Sequence, residues 1–129
     1  MEQSKYLIDT NAVIDYLGNR IPDNGMNFMS DVIDATPTIS VITKIELLGF
    51  NAPTAHYRLL LEFINDANVR PLSDAVVNFS IDIRKKYKIK LPDAIIAATA
   101  LANTLTLITR NAKDFDSIDG LSLVNPFEL

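Results

Sequence analysis

Three acidic residues of this sequence stand among apolar neighbours. Asp9 ends the apolar run from Tyr6 to Ile8, and the residues three, four, seven and eight positions after Asp93 are all apolar. Glu46 has no charged residue three or four positions away on either side. We expect Glu46 and Asp93 to face the core side of their helices, with no basic neighbour three or four positions away. Acids in such surroundings are candidates for catalytic or metal-binding groups.

Carboxylates gathered in one pocket need a proton or a cation. Three of them about 5 Å apart, at an effective dielectric constant of about 20, repel by about 3 kcal/mol per pair. The total, on the order of 10 kcal/mol, rivals the stability of a whole domain. Because hard oxygen ligands select Mg²⁺ or Mn²⁺ over zinc, the acids predict a divalent metal site.

Each acid also has a structural interpretation. Asp9 can cap a helix, Asp93 follows Pro92 at a helix start where an acid complements the dipole, and Glu46 can be a surface residue. The lack of cysteine excludes thiol nucleophiles and cysteine-bound metals, and the four glycines are too scattered for a phosphate-binding loop. We expect the one histidine, His56, to lie on a helix surface, which gives histidine-based catalysis little support.

Composition predicts one domain, residues 1–129, because 129 residues with 48% hydrophobic content suffice for one compact core. The N-terminus resembles neither a signal peptide nor a membrane span, and with no cysteine we expect a cytoplasmic protein without a membrane partner. The net charge of −4 and pI of about 4.8 oppose direct binding of nucleic acid. A bound cation would reverse the sign of charge where a phosphate arrives.

The apolar pattern predicts alternating strands and helices. We expect strands at Tyr6 to Ile8, Thr38 to Ser40, Val69 to Leu72, Thr106 to Thr109 and, near the sheet edge, Leu121 to Val124. We expect helices after a cap at Thr10 or Asn11, from Asp23 to Ala35, around Glu46, after a cap at Thr54, after a cap at Ser73, and from Leu91 to Asn103. Ile14 and Leu17 are expected on the inner face of the first helix, and Leu59, Leu60, Phe63 and Ile64 are expected to be buried.

This alternation specifies an α/β sandwich with a parallel sheet, because parallel neighbours need a crossover that is usually helical. Sites in such sheets lie beyond the carboxyl ends of the strands. Asp9, Asn111 and Asp114 all follow such ends, so a common pocket is geometrically reasonable.

Four blocks of sequence resemble the PIN-domain nucleases, and most closely the VapC toxins of prokaryotic type II toxin–antitoxin systems. The blocks are YLIDTN (6–11), SVITKIEL (40–47), LPDAIIAATA (91–100) and LITRNAKDF (107–115). They occur in the family's order and cover nearly the whole chain. Each block alone is weak evidence, but four in order are strong evidence.

The resemblance implies a three-layer α/β/α sandwich, metal-dependent endonucleolytic cleavage of RNA, a VapB-like antitoxin that blocks the site, and a homodimer. By position, Asp9, Glu46 and Asp93 match the family's three principal acids. Many members have a fourth acid where this chain has Asn111, so Asp114 is expected to replace it, with Asp116 less favoured. The polar residues Thr10, Asn11, Thr43, Thr109 and Asn111 match those that orient the carboxylates or a metal's water.

Together these interpretations predict a ribonuclease that depends on Mg²⁺, with Mn²⁺ as a possible substitute. We expect Asp9 and Asp93 to hold the ion, Glu46 to bind it partly through water or a second ion, and water to attack the phosphodiester in line. Candidate contacts to the RNA backbone are Lys85, Lys86, Lys88, Arg110 and Lys113. The basic run 84–90 is equally well explained as a solvated helix end.

Two other functions stay open at this point. A phosphoacceptor signalling domain also combines a parallel sheet with Mg²⁺ and acids, but it needs an acidic pair after the first strand and an aspartate after a central strand. A catalytically inactive PIN-like module would keep the fold and the antitoxin surface without turnover.

Overall fold

The computed structural model describes residues 5–49 and 51–129, in which strands and helices alternate as predicted. The strands are β1 (Tyr6–Ile8), β2 (Thr38–Ser40), β3 (Asn68–Arg70), β4 (Thr106–Ile108) and β5 (Leu123–Val124). The helices are α1 (Thr10–Leu17), α2 (Asp23–Asp34), α3 (Val41–Leu48), α4 (Thr54–Asp66), α5 (Asp74–Lys86) and α6 (Leu91–Ala102). Two short 3₁₀ turns follow at Ala112–Asp114 and Pro126–Glu128.

All paired strands are parallel. β4 pairs with β1 on one side and β5 on the other, and β2 pairs with β3. They form a three-stranded sheet in the order β1-β4-β5 and a two-stranded sheet of β2 and β3. β2 lies beside β1, so the two sheets together make one central layer. The predicted parallel sheet is confirmed, and β5 lies at its edge as expected.

The two faces of the sheet build two separate cores. Leu7 and Leu107 are paired neighbours that pack against α5 and α6. Ile8 and Ile108, the next pair, face the opposite way and pack against α1, α2, α3 and α4. Successive side chains of a strand point to opposite faces, so two consecutive apolar residues indicate a sheet covered on both sides. This arrangement confirms the three-layer α/β/α sandwich.

Two of the expected helix caps are wrong. Asp9, not Thr10 or Asn11, caps α1, and its carboxylate accepts a hydrogen bond from the Thr10 amide because β1 leads directly into the helix. Thr54 is the first residue of α4, whose cap position is Pro53 without a side-chain hydrogen bond. The Ser73 cap on α5 is confirmed by its hydrogen bond from the Val76 amide.

Burial on α1 and α4 also differs in part from the pattern. The buried residues of α1 are Ala12, Val13 and Asp15, whereas Ile14 and Leu17 are only half-buried. Leu59 of α4 is 45% exposed instead of buried. These three apolar side chains line a groove of about 390 Å³ between the two helices. The apolar face of each helix is therefore wider than the part that packs against the core.

Strand β3 ends at Arg70, two residues earlier than predicted. Pro71 follows directly and has no amide to continue the ladder. Within residues 5–49 and 51–129, no helix is long and apolar enough to cross a membrane.

Candidate active site

Asp9 lies at the carboxyl end of β1 and is almost fully buried, with 4% of its surface exposed. Its Oδ1 accepts a hydrogen bond from the Thr10 amide at 2.7 Å, and its Oδ2 accepts one from the Thr109 hydroxyl at 2.8 Å. Thr109 follows β4, the strand paired with β1, so the sheet register itself brings acid and hydroxyl together. The amide of Asn111 donates to the same hydroxyl at 3.0 Å, which ties the loop after β4 to this pair.

Burial raises the pKa of Asp9 from 3.8 to about 6. The hydrogen bonds from Thr109 and Thr10 oppose this rise, and the charges of Asp93 and Glu46 add to it. Burial favours the neutral form of a carboxyl group, and neighbouring anions do the same. Asp9 is therefore an ionisable group that a nearby cation would stabilise.

Glu46 approaches this pocket from α3 through a chain of hydroxyl groups. Its Oε1 lies 2.8 Å from the Thr10 hydroxyl, which lies 3.0 Å from the hydroxyl of buried Thr43. A hydroxyl has one proton to donate, so Thr10 donates to the carboxylate and accepts from Thr43. Glu46 is exposed, contrary to the expectation of an inward-facing acid, yet its charge raises the pKa of both Asp9 and Asp93.

Asp93 lies in the first turn of α6 and is half-buried. Burial raises its pKa, as do the charges of Asp114 and Glu46, whereas Lys90 lowers it. The expectation that Asp93 has no basic neighbour three or four positions away is wrong, because Lys90 lies three residues before it, at the cap position of α6. The charges of Glu46 and Asp93 thus act on Asp9, and those of Asp114, Glu46 and Lys90 act on Asp93.

Asp114 is the candidate for the fourth position whose charge acts on this cluster, through Asp93. It ends the 3₁₀ turn after β4, where its amide donates to the Asn111 carbonyl at 2.9 Å. Asn111 is exposed, like Asp116 and Asn11. The amide of Asn111, not its side chain, makes the contact to Thr109.

The donor set of this cluster fits a hard divalent cation. Its groups are carboxylate and hydroxyl oxygens. Burial first, and the charges of Asp93 and Glu46 after it, raise the pKa of Asp9, and a cation would offset both causes. Within residues 5–49 and 51–129, however, no three His, Asp or Glu side chains are already arranged to hold a metal ion. The carboxylates must turn towards one another to ligate one.

The candidate RNA contacts do not form one continuous patch. Lys85 borders a groove on one side of α5 together with Leu91, whereas Lys86 borders a second groove with Asp82 and Asp119. Lys88 and Lys113 are exposed. Arg110 is exposed but already has intramolecular partners, because its guanidinium lies 4.7 Å from the centre of the Phe127 ring and 3.7 Å from the Asp15 carboxylate.

Asp15 is a buried charge that the sequence interpretation missed. It is 5% exposed, in the middle of α1, and both of its guanidinium partners, Arg20 and Arg110, are largely exposed. One signal was available: Asp15 is three residues after Ala12 and therefore shares a helix face with a core residue. The partner Arg110 lies 95 residues later, which no local pattern reveals.

Comparison with known proteins identifies the family. The model of the PIN domain family matches residues 6–121. A chain of a toxin–antitoxin complex from Klebsiella pneumoniae is 34% identical with a TM-score of 0.74, and the match covers 96% of this chain and 99% of that one. The chain therefore belongs to the PIN-domain family, whose members are generally nucleases.

Two VapBC structures also resemble this chain. A chain of VapBC2 from Rickettsia felis, bound to a DNA fragment from its promoter, is 25% identical with a TM-score of 0.77, and the match covers 93% of this chain and 97% of that one. A chain of DNA-bound VapBC from Salmonella typhimurium shares the fold with a TM-score of 0.82 at 23% identity, over 96% and 99% of the two chains. No curated protein sequence gave a significant match. The resemblance to VapC-type PIN domains, predicted from the sequence, is confirmed.

Proposed function

We propose that this protein is a metal-dependent endoribonuclease, the toxin of a VapBC-type pair, acting in the cytoplasm with residues 1–129 as one nuclease domain. The observation that carries the proposal is the buried Asp9, whose pKa is raised to about 6 while Glu46, Asp93 and Asp114 approach from three other elements. Such a cluster of ionised carboxylates destabilises the fold unless a cation neutralises it. The bound cation can then attract a phosphate group.

Asp9 and Asp93 would hold the ion, Mg²⁺ or Mn²⁺, with Glu46 and Asp114 completing the set. A divalent cation supplies charge neutralisation at the phosphate oxygens and lowers the pKa of water. The chain's own residues fix the acids for this task. Thr109 and the Thr10 amide orient the two oxygens of Asp9, while the Thr10 hydroxyl orients Glu46.

Placement of the acids argues against the signalling alternative. A phosphoacceptor domain needs its acids directly after strands, whereas Glu46 lies on α3 and Asp93 on α6. A catalytically inactive PIN-like module would have the same fold, so only a measurement of activity distinguishes it from a ribonuclease. The relatives from K. pneumoniae and R. felis were solved as toxin–antitoxin or VapBC complexes. We therefore also propose a VapB-like antitoxin as partner.

Cleavage of RNA by the partner-free protein tests the proposal. We expect total RNA to be cut in Mg²⁺, with no cleavage in EDTA and none by Asp9→Asn. An inactive module would give no cleavage in any arm. Cleavage that persists in EDTA or in Asp9→Asn would contradict the metal site.

Removing three lysines should weaken RNA binding. We expect the Lys85→Gln, Lys86→Gln, Lys88→Gln variant to bind RNA less tightly and with a flatter salt dependence, because each lost phosphate contact lowers the slope of log K against log salt by about 0.7 to 1. Binding titrations from 50 to 200 mM salt would measure this. Lys5→Gln, at the opposite end of β1 from Asp9, is the control, and an unchanged slope in the triple variant would refute the contact.

Exposed apolar residues on α5, on the loop before it and at the start of α6 support the predicted homodimer. Leu72, Val77, Ile81 and Leu91 are 50%, 38%, 47% and 55% exposed and line a groove of about 530 Å³. Such a patch is costly to leave in water. Light scattering should give a mass near twice 14.3 kDa, and Ile81→Asp should give the monomer while Leu59→Asp on α4 should not. A monomeric parent protein would overturn this assignment.

A further inference from the structure

The cluster around Asp15 is a second group of charged residues that the proposed chemistry does not use. Both guanidinium groups lie at the limit of ion-pair distance from the buried carboxylate, Arg110 at 3.7 Å and Arg20 at 4.0 Å. Among residues 5–49 and 51–129, Asp15 Oδ2 has no hydrogen-bond partner. A buried carboxylate needs partners that replace the water it has lost. The two guanidinium groups are those partners for Asp15, and one of them belongs to the loop after β4.

Arg110 connects Asp15 to the C-terminal segment of the chain. Its guanidinium lies 4.7 Å from the centre of the Phe127 ring, and its carbonyl accepts a hydrogen bond from the Asn125 side chain at 3.3 Å. Asn125 in turn accepts a hydrogen bond from the Phe127 amide at 3.0 Å. Arg110 is therefore fixed from two directions, by α1 and by the 3₁₀ turn Pro126–Glu128.

This 3₁₀ turn is itself packed closely on α2. A Cβ atom added to Gly25 would lie 1.9 Å from the Pro126 carbonyl oxygen, so no larger residue fits without displacing the turn. Phe127 follows Pro126 in this turn, so a displaced turn would also displace its ring. The Gly25 contact therefore provides a way to move the turn without altering any residue of the loop after β4.

In sequence, Arg110 lies between Thr109, which contacts Asp9, and Asn111, which contacts Thr109. Thr109 precedes it, donating its amide to the Val124 carbonyl at 3.0 Å and its hydroxyl to Asp9 at 2.8 Å. Asn111 follows it and donates its amide to that same hydroxyl. Any shift of the Arg110 backbone therefore changes the position of the hydroxyl that orients Asp9.

We propose that Asp15 and Phe127 are positioning residues, which act through Arg110 to hold the 109–111 loop and so keep the Thr109 hydroxyl on Asp9. The effect on cleavage rests on the proposed ribonuclease function, whereas the effect on the loop does not. Arg110 then orients the loop, and direct binding of RNA phosphate by Arg110 is the competing role.

Hydrogen exchange of the Thr109 and Asn111 amides tests the loop directly. Asp15→Asn keeps the side-chain shape and removes the charge, Phe127→Leu removes the ring, and Gly25→Ala displaces the turn. We expect each to raise the exchange rates of these two amides about tenfold. Arg20→Gln, which removes the other guanidinium from Asp15 without touching the loop, should leave the rates unchanged. Val76→Ala, in the core on the other sheet face, controls for general loss of stability.

Kinetics separate positioning from binding of RNA. For Asp15→Asn and Phe127→Leu we expect kcat to fall about tenfold with KM within twofold, because misplacing a catalytic group costs rate and not ground-state binding. Exchange no faster than in Val76→Ala overturns the proposal, and so does a raised KM with unchanged kcat. If the parent protein cuts no RNA, the ribonuclease function fails and the exchange rates still decide the positioning role.

Discussion

Replacing Asp9 or Asp93 by asparagine is expected to reduce RNA cleavage by about 10³-fold or more while leaving the metal-free protein at least as stable as the parent. For Asp9, the rise in pKa from 3.8 to about 6 corresponds to about 3 kcal/mol of destabilisation by the ionised form at neutral pH. Asparagine removes this charge. It also has one acceptor oxygen fewer, so either the Thr10 amide or the Thr109 hydroxyl loses its acceptor, at about 1 to 2 kcal/mol.

Urea unfolding in EDTA and single-turnover cleavage in Mg²⁺ measure the two effects separately. Asp31→Asn, an exposed acid on α2, should change neither. If Asp9→Asn is clearly less stable than the parent in EDTA, Asp9 is a structural cap and not a functional charge. If it still cleaves RNA, the reaction occurs at another site.

The second large effect is a coupling between pH, metal and stability. The folded-state pKa of Asp9 is raised, so the folded protein holds this proton more tightly than the unfolded chain does. Well below pH 3.8, the ordinary pKa, both states are protonated and Asp9 carries no penalty. The penalty grows as pH rises through about 6 and then stays near 3 kcal/mol. In EDTA, the stability of Asp9→Asn relative to the parent should therefore increase from pH 4 to pH 7.

Mg²⁺ should remove this penalty at pH 7. An ion that binds the folded state alone at 100 times its Kd stabilises by about 2.7 kcal/mol, which is on the order of 10 °C in Tm for a domain of this size. At pH 5 the shift should be smaller, because protons compete for Asp9, and in Asp9→Asn it should nearly vanish. Calorimetry would measure it, and an equal shift in parent and variant would place the ion elsewhere.

The sequence predicted the layers well because their signals are local. Two consecutive apolar residues in β1 and β4 face opposite sides of the sheet, and Ser73 and Pro92 mark helix starts through their own side chains. Leu59 was predicted to be buried because it belongs to a set of apolar residues at helical spacing. That spacing does not show how much of the helix face the neighbouring helix covers.

The sequence predicted the residues of the candidate site but not the hydrogen bonds and ion pairs between them. Asp9, Glu46 and Asp93 stand out by type and spacing, and the structure brings their charges within reach of one another. Thr10 connects the two acids, because its amide donates to Asp9 and its hydroxyl to Glu46. The second contact depends on how α1 and α3 pack, which the sequence does not show. Asp15 was missed because its partner lies on a loop distant in sequence, where only the folded chain brings opposite charges together.

The register of β1 against β4 determines whether Asp9 reaches the Thr109 hydroxyl. Leu7 lies opposite Leu107 and Ile8 opposite Ile108, and Asp9 continues the ladder through its amide, 2.9 Å from the Ile108 carbonyl. A slip of one residue would send each side chain to the wrong core and move Asp9 about 3.3 Å along the sheet from the Thr109 hydroxyl. Misaligned chains would thus lose core packing and the acid–hydroxyl pair together, so a well-packed sheet and a correctly oriented Asp9 form in the same step.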